Sequence, residues 1–261
     1  MRRKESLGVV AVVFALLGSG SVSAQNTTAG AAVPLPIDGD WVNSSIDPTN
    51  TQRWYRIGLV NGRSYCVITV PHPDVADVTV DTTTQVFSDS AGTVSVSFND
   101  DTFEEPISPR HARTCFVYSG ATTSFGRLKV ALAIVPTVSQ PVRFKVVDTA
   151  LNGPWFFVES ATSYNAFIEI GNTIGSTVSV TVTIRNSAGA TLGTPQTVVI
   201  PGYGNTALNV VSSFGTTVAN GSGSVQIAHD GAPGAIVANV TTLSAMTGLS
   251  FDAPLTRRQN W

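Results

Sequence analysis

The residues of this 261-residue chain with the most chemical reach are few, and they stand apart. The densest group is Asn99-Asp100-Asp101-Thr102-Phe103-Glu104-Glu105, with five carboxylate or carboxamide side chains in seven positions. Calcium takes six to eight oxygen ligands, and Asp and Asn side chains in one loop supply several at once. Asn99, Asp100 and Asp101 are therefore calcium candidates. The spacing is not that of an EF-hand, which needs a glycine at the sixth position and a Glu at the twelfth. The competing reading is a solvated acidic loop whose side chains bond neighbouring backbone N–H groups. As a facing pair for glycosidic acid/base chemistry Asp100 and Asp101 fit poorly, because adjacent residues of a strand point to opposite faces.

Three histidines complete the inventory of candidate acids and bases. His72 sits between Pro71 and Pro73, and His111 lies near Arg110, Arg113 and Cys115. His229 stands beside Asp230 in the stretch SVQIAHDGAPGAIVANVTT, where a nucleophile would complete a triad. Ser222 and Ser224 lie at the far end of the same strand, so the pair reads as a hairpin tip. In that reading Asp230 bonds the loop's own N–H groups, and Gly231 or Gly234 takes positive φ. There is no HExxH, CxxC, GxSxG or GxxxxGKS segment, which weighs against metal-dependent, serine-nucleophile and phosphate-loop chemistry.

Aromatic residues are the other candidates. Trp54-Tyr55 and Trp155-Phe156-Phe157 each open a strand-rich half of the chain. A bulky core plug is their default role, and an exposed group of them would form a stacking platform for sugar rings. Tyr203, between Gly202 and Gly204 and after Pro201, is expected at an exposed turn and is the candidate binding aromatic.

The elements that must position these residues are strands. TVSVSF, VSVTVTI, QTVVI and ALNVV alternate or run apolar with β-branched residues, and Gly, Pro, Asn or Asp bounds each. No twelve-residue window makes an amphipathic helix. Strands about every ten residues predict an all-β chain of two tandem antiparallel β-sandwich domains, jelly-roll or immunoglobulin-like. A composition shift places the boundary. Residues 37–149 hold 12 acidic and 9 basic side chains and both cysteines, whereas 150–261 hold only four acids and three bases. The expected organisation is a signal peptide over 1–24, a flexible segment over 25–36, and sandwiches over 37–149 and 150–261.

Arg2, Arg3 and Lys4, the apolar run Leu7 to Leu17 and the small residues Val22-Ser23-Ala24 have the order of a cleaved export signal. Cleavage would start the mature chain at Gln25, in the periplasm, at the cell surface or outside the cell. It would leave no membrane span and a formal charge near −4, from 12 basic and 16 acidic residues. That balance excludes a nucleic-acid partner, which needs a basic stripe. In an oxidising compartment Cys66 and Cys115 are expected to form a disulfide, worth on the order of 3–4 kcal/mol in the chain-entropy account.

RWYRIGLVNGRSYCVITV reads as two strands joined through Val60-Asn61-Gly62, and TQVFSDSAGTVSVSFNDD as two strands around Ser90-Ala91-Gly92. TCFVYSG, GRLKVAL and PVRFKVVD follow in order. Over about 45–148 this order resembles the bacterial pre-peptidase C-terminal domain, a small β-sandwich found beside secreted peptidases and other exported proteins. The hairpin ending in Phe98-Asn99-Asp100-Asp101 is the most specific element. Two cysteines, and Cys115-Phe116-Val117-Tyr118 in place of a glycine-aromatic doublet, depart from that pattern. Over about 150–261, YNAFIEIGNT, STVSVTVTIRNSAGATLG and TPQTVVIPGYGNTALNVV resemble immunoglobulin-like modules of bacterial surface proteins, a likeness of architecture only.

The sequence thus reads as a non-catalytic exported protein acting in binding or surface structure, with protein or polysaccharide at the cell surface as partner. The alternative is an accessory module of a secreted hydrolytic system that binds polysaccharide or protein. Two further readings are a filament subunit self-associating through low-charge sheet faces, with 25–36 as an added strand, and an enzyme using Asp100, Asp101, His111 or His229. No cofactor other than calcium is implied.

Overall fold

The computed structural model describes residues 26–73, 80–101, 110–215, 218 and 220–258. The expected signal peptide, Gln25, Glu104, Glu105 and Trp261 lie outside the described residues. Nine strands precede residue 149: β1 (Val33–Pro34), β2 (Val42–Ile46), β3 (Gln52–Leu59), β4 (Ser64–Val70), β5 (Thr82–Phe87), β6 (Ser95–Asn99), β7 (Arg113–Val117), β8 (Thr123–Leu132) and β9 (Gln140–Asp148). Nine follow: β10 (Leu151–Glu159), β11 (Tyr164–Asn172), β12 (Val178–Asn186), β13 (Thr191–Ile200), β14 (Asn205–Asn209), β15 (Asn220–His229), β16 (Ile236–Ser244), β17 (Ser250–Pro254) and β18 (Thr256–Arg257). The chain is all-β, with one short α-helix among the described residues, α1 (Val210–Phe214), and open antiparallel sheets.

The first nine strands form two layers, β1-β3-β8-β5-β6 and β2-β9-β4-β7. Tyr55, Ile57, Tyr65, Val67, Leu128 and Phe144 meet between them in one core. Cys66 and Cys115 are direct partners across β4 and β7, 4.1 Å apart at Cα and joined by a disulfide. Their bridge lies on the other face of that sheet, beside Ile68, Val147 and Trp41. A disulfide-bonded pair is compatible with an extracytoplasmic location. Among the described residues no helix is long and apolar enough to cross a membrane.

The last nine strands form a second sheet system, ordered β13-β12-β15-β10-β11-β16-β17, with β14 on β11 and β18 on β10. It is folded on itself at β10 and β11, which share only the pair Glu159↔Tyr164. One layer is β13-β12-β15-β10, and the other is β14-β11-β16-β17. Strict alternation explains the packing: Val178, Val180, Val182 and Ile184 of β12 are buried, and the residues between them are not. Each such side chain removed from water contributes about 1.5–3 kcal/mol.

Three expectations are corrected. The segment 25–36, read as flexible, is held from Asn26 onward. Val33 and Pro34 pair in parallel with Tyr55 and Arg56, Leu35 is buried in the core, and the Trp54 N–H donates to the Asn26 carbonyl at 2.7 Å. The cause is an apolar residue and an open strand edge: Leu35 fills the core, and β3 offers unpaired backbone groups. ALNVV, read as one strand, ends at Asn209, whose side-chain oxygen accepts the Ser212 N–H at 3.0 Å and starts α1. The joint at 230–235, read as a hairpin tip, is not one. β15 and β16 belong to opposite layers, so that loop is an arch between sheets, as is the turn at Val60-Asn61-Gly62 between β3 and β4.

The two sheet systems meet around Asp148. Its backbone N–H donates to the Asp38 carboxylate at 2.9 Å, and its own carboxylate pairs with Arg63 at 2.7 Å. Arg257, from β18, donates to the Asp148 carbonyl at 3.1 Å and pairs with Asp38 at 3.2 Å. Burial pushes the Asp148 carboxyl upward, opposed by the Ala150 N–H and Arg63.

Candidate functional site

His229 closes β15 and points inward, as alternation with Val225 and Ile227 requires. It is 1 % exposed. Burial pulls the imidazole below its ordinary range, opposed by backbone hydrogen bonds to Thr149 and Gly231 and by the nearby Asp230 carboxylate. Thr149 lies in the joint between the sheet systems, so this histidine ties the joint down. Asp230 was expected to bond its own loop, and it instead accepts the Ser179 N–H at 2.8 Å. Its oxygen is drawn there because β12 runs beside β15, with Val180 opposite His229. Gly234 is the loop residue at positive φ, 86°. Asp230 is engaged with β12, whereas the buried His229 Nδ1 makes no hydrogen bond among the described residues.

The acidic loop is carried by the β5–β6 hairpin. Asp89 shapes its turn by accepting the Val94 and Thr93 N–H groups at 2.8 and 2.9 Å, which lower its carboxyl to about 2. The register Thr84↔Asn99 then carries Asp81 alongside the residues that follow β6. Asp81, Asp100 and Asp101 come together, with one oxygen of each within 4.8 Å of the others. Burial raises the Asp81 carboxyl, and the Asp100 and Asp101 charges raise it further. Three carboxylates so placed are the donor type that a hard cation takes, though fewer than calcium's usual ligand number. Asn99, opposite Thr84 at the end of β6, directly precedes two of the three. Asn99 and Asp101 line a cleft of about 420 Å³ that Asp230 and Ser176 approach from the second sheet system. His111 is buried, and His72 is not part of this cluster.

Tyr203 is 78 % exposed, as expected, and holds positive φ at 57°. Its position is fixed by close backbone approaches that only glycine allows. A Cβ on Gly202 would come within 1.9 Å of the Gly175 carbonyl oxygen. The tyrosine ring leans on Gly175, and its N–H donates to the Ile174 carbonyl at 2.9 Å. Asn172 holds the two loops together. Its buried amide donates to the carbonyls of Ser176, Ile200 and Pro201 at 2.8–3.2 Å, and its oxygen accepts the Ile174 N–H.

Tyr55 is a core plug, Trp54 is buried on the other face of β3 against Phe87 and Lys129, and the second aromatic run splits. Phe156 is buried, and a bulge between Gly153 and Phe156 turns Trp155 outward to 40 % exposure. Trp155 stacks on Phe251 at 4.8 Å and on Phe157 at 6.1 Å, and Tyr164 closes the group. The indole stays partly exposed, so the cluster is an aromatic group on the surface between β10 and β17.

Sequence reasoning missed a trough on the outer face of the β14-β11-β16-β17 layer, about 540 Å³, lined by Glu169, Gly171, Asn205, Ala207, Val237 and Asn239 among others. Its only early signal was the exposed half of each alternating strand. It also missed Asp81 and Asn172 as organising residues. Compared with protein-family models and with curated proteins, the chain matches none.

Proposed function

We propose that the protein is an exported, non-catalytic module that binds at, or helps build, the cell surface, with a first half related to the pre-peptidase C-terminal domain. The observation that supports this reading is the use of its one catalytic-looking pair: His229 is buried against the Thr149 carbonyl, and Asp230 anchors the Ser179 N–H. General acid/base work needs a group within reach of substrate and with a basicity near the working pH. Burial keeps His229 out of reach of substrate and lowers its basicity. The low charge of the second half, four acids and three bases over 150–261, suits contact with uncharged material.

The test incubates the mature protein with polysaccharide and polypeptide substrates and with cell-envelope fractions. Co-sedimentation with envelope material without turnover is expected. Hydrolysis that disappears in a folded His229→Gln variant would sink this reading and install an enzyme in its place.

A further inference from the structure

On the outer face of the β14-β11-β16-β17 layer, register aligns the outward positions into rows: Asn205, Gly171 and Val237, then Ala207, Glu169, Asn239 and Pro254. The next row holds Asn209, Phe167, Thr241 and Asp252. No lysine or arginine stands in these rows. Gly171 leaves a gap in the first row, because the side chain that would stand there is missing between Asn205 and Val237. The gap opens the trough of about 540 Å³, within the usual size of small-ligand sites.

We propose that this trough binds a hexose unit of a neutral polysaccharide. The inference rests on the binding-module reading and names its ligand class. Sugar hydroxyls both donate and accept, and a carboxamide supplies both functions from one planar group. Asn205 and Asn239 flank the trough on two strands, and Glu169 between them adds a pure acceptor. Among the described residues Glu169 makes no ion pair, so its acceptor capacity is unspent. Ala207 and Val237 give the C–H face of a pyranose apolar neighbours. Charge narrows the ligand. Glu169, with Asp252 one row away, repels polyanions, and Asn205 and Asn239 offer uncharged donors and acceptors at the trough.

Affinity electrophoresis of the mature protein through gels containing a soluble neutral glucan or galactomannan, or alginate as a polyanion, tests this. Retardation in a neutral gel and free migration in alginate are expected. Gly171→Val fills the trough from an outward position, meeting only the exposed Val237 side chain, and should weaken retention at least tenfold with a thermal midpoint no lower than that of the wild type. Asn205→Ala, outward at the start of β14, gives a second reading should Gly171→Val fold poorly. Free migration of the wild type in every neutral gel overturns the proposal, as does retention that both variants leave intact. Variants that alter only the sedimentation of the protein itself overturn it in favour of a second copy on this face. None of these failures touches the module reading, which fails only on turnover.

Discussion

His229 makes stability depend on pH in a direction that can be worked out. The unfolded chain's imidazole titrates near 6.5, and burial holds the folded one lower. As pH falls, the unfolded state takes up the proton first. The stability associated with neutral His229 is therefore complete above about 6.5 and is lost as pH falls through the folded value. One proton bound by the unfolded state alone gives a slope approaching about 1.4 kcal/mol per pH unit in that window. The charges facing the ring pull in opposite senses, Asp230 favouring protonation and Arg257 opposing it, and burial outweighs both. Urea unfolding followed by tryptophan fluorescence at pH 7.5, 6.5 and 5.5 measures the effect in wild type and in His229→Gln. The variant keeps an amide donor for the Thr149 carbonyl and has nothing to titrate. The wild type should lose up to about 1.4 kcal/mol per pH unit more than the variant below pH 6.5, while the carboxylates common to both cancel. Parallel losses in the two proteins, or a wild type that gains stability on acidification, would refute the reasoning.

Three further outcomes follow from the packing. Deleting residues 26–36 removes the buried Leu35 and uncovers the β3 edge, so urea stability should fall by at least about 2–3 kcal/mol and concentration-dependent association should rise; an unchanged midpoint would contradict the register. Replacing Cys66 and Cys115 together by alanine should cost about 3–4 kcal/mol, and a reducing agent should destabilise the wild type to the same degree without affecting the variant. Asp81 holds its proton more tightly folded than unfolded, so its contribution is greatest at low pH and is lost as pH rises through the folded value. Asp81→Asn should therefore raise the thermal midpoint at neutral pH in the presence of a chelator and flatten the pH dependence there. A lowered midpoint would show that its charge is wanted.

Strand identity was legible because each strand needs only its own neighbours: β-branched alternation buries Val178, Val180, Val182 and Ile184 whatever the rest of the chain does. The exposure of Tyr203 was legible for a similar reason, since Pro201-Gly202 and Gly204 dictate a turn locally. Pairing was not. The loops at 60–62 and 230–235 carry the residues of hairpin turns, and Gly62 and Gly234 do take positive φ, but the strands they join lie in different layers. An arch and a hairpin both reverse the chain in a few residues, and both favour glycine. What separates them is which neighbouring edge each strand finds, a decision made by the whole core. The flexible reading of 25–36 failed the same way, because small residues and prolines do not reveal that β3 is waiting for a partner.

The same limit governs the candidate sites. Asp81 precedes Asp100 by nineteen residues and joins it only because Thr84 pairs with Asn99. A shift of one residue in that hairpin would send its side chain to the other face. The trough is more distributed still, since Gly171, Asn205 and Val237 come from three strands and meet through two registers. In sequence Gly171 looks like a weakness in an otherwise β-branched strand, where glycine costs stability without packing anything. In the sheet it is the position where a side chain would close the space between Asn205 and Val237. A polar outward face needs no such gap to stay soluble. In the absence of ligand Gly171→Val should be the more stable protein, since valine suits a strand better by up to about 1 kcal/mol. Weakened glycan retention together with raised stability in that one variant would tie the glycine to the ligand and to nothing else.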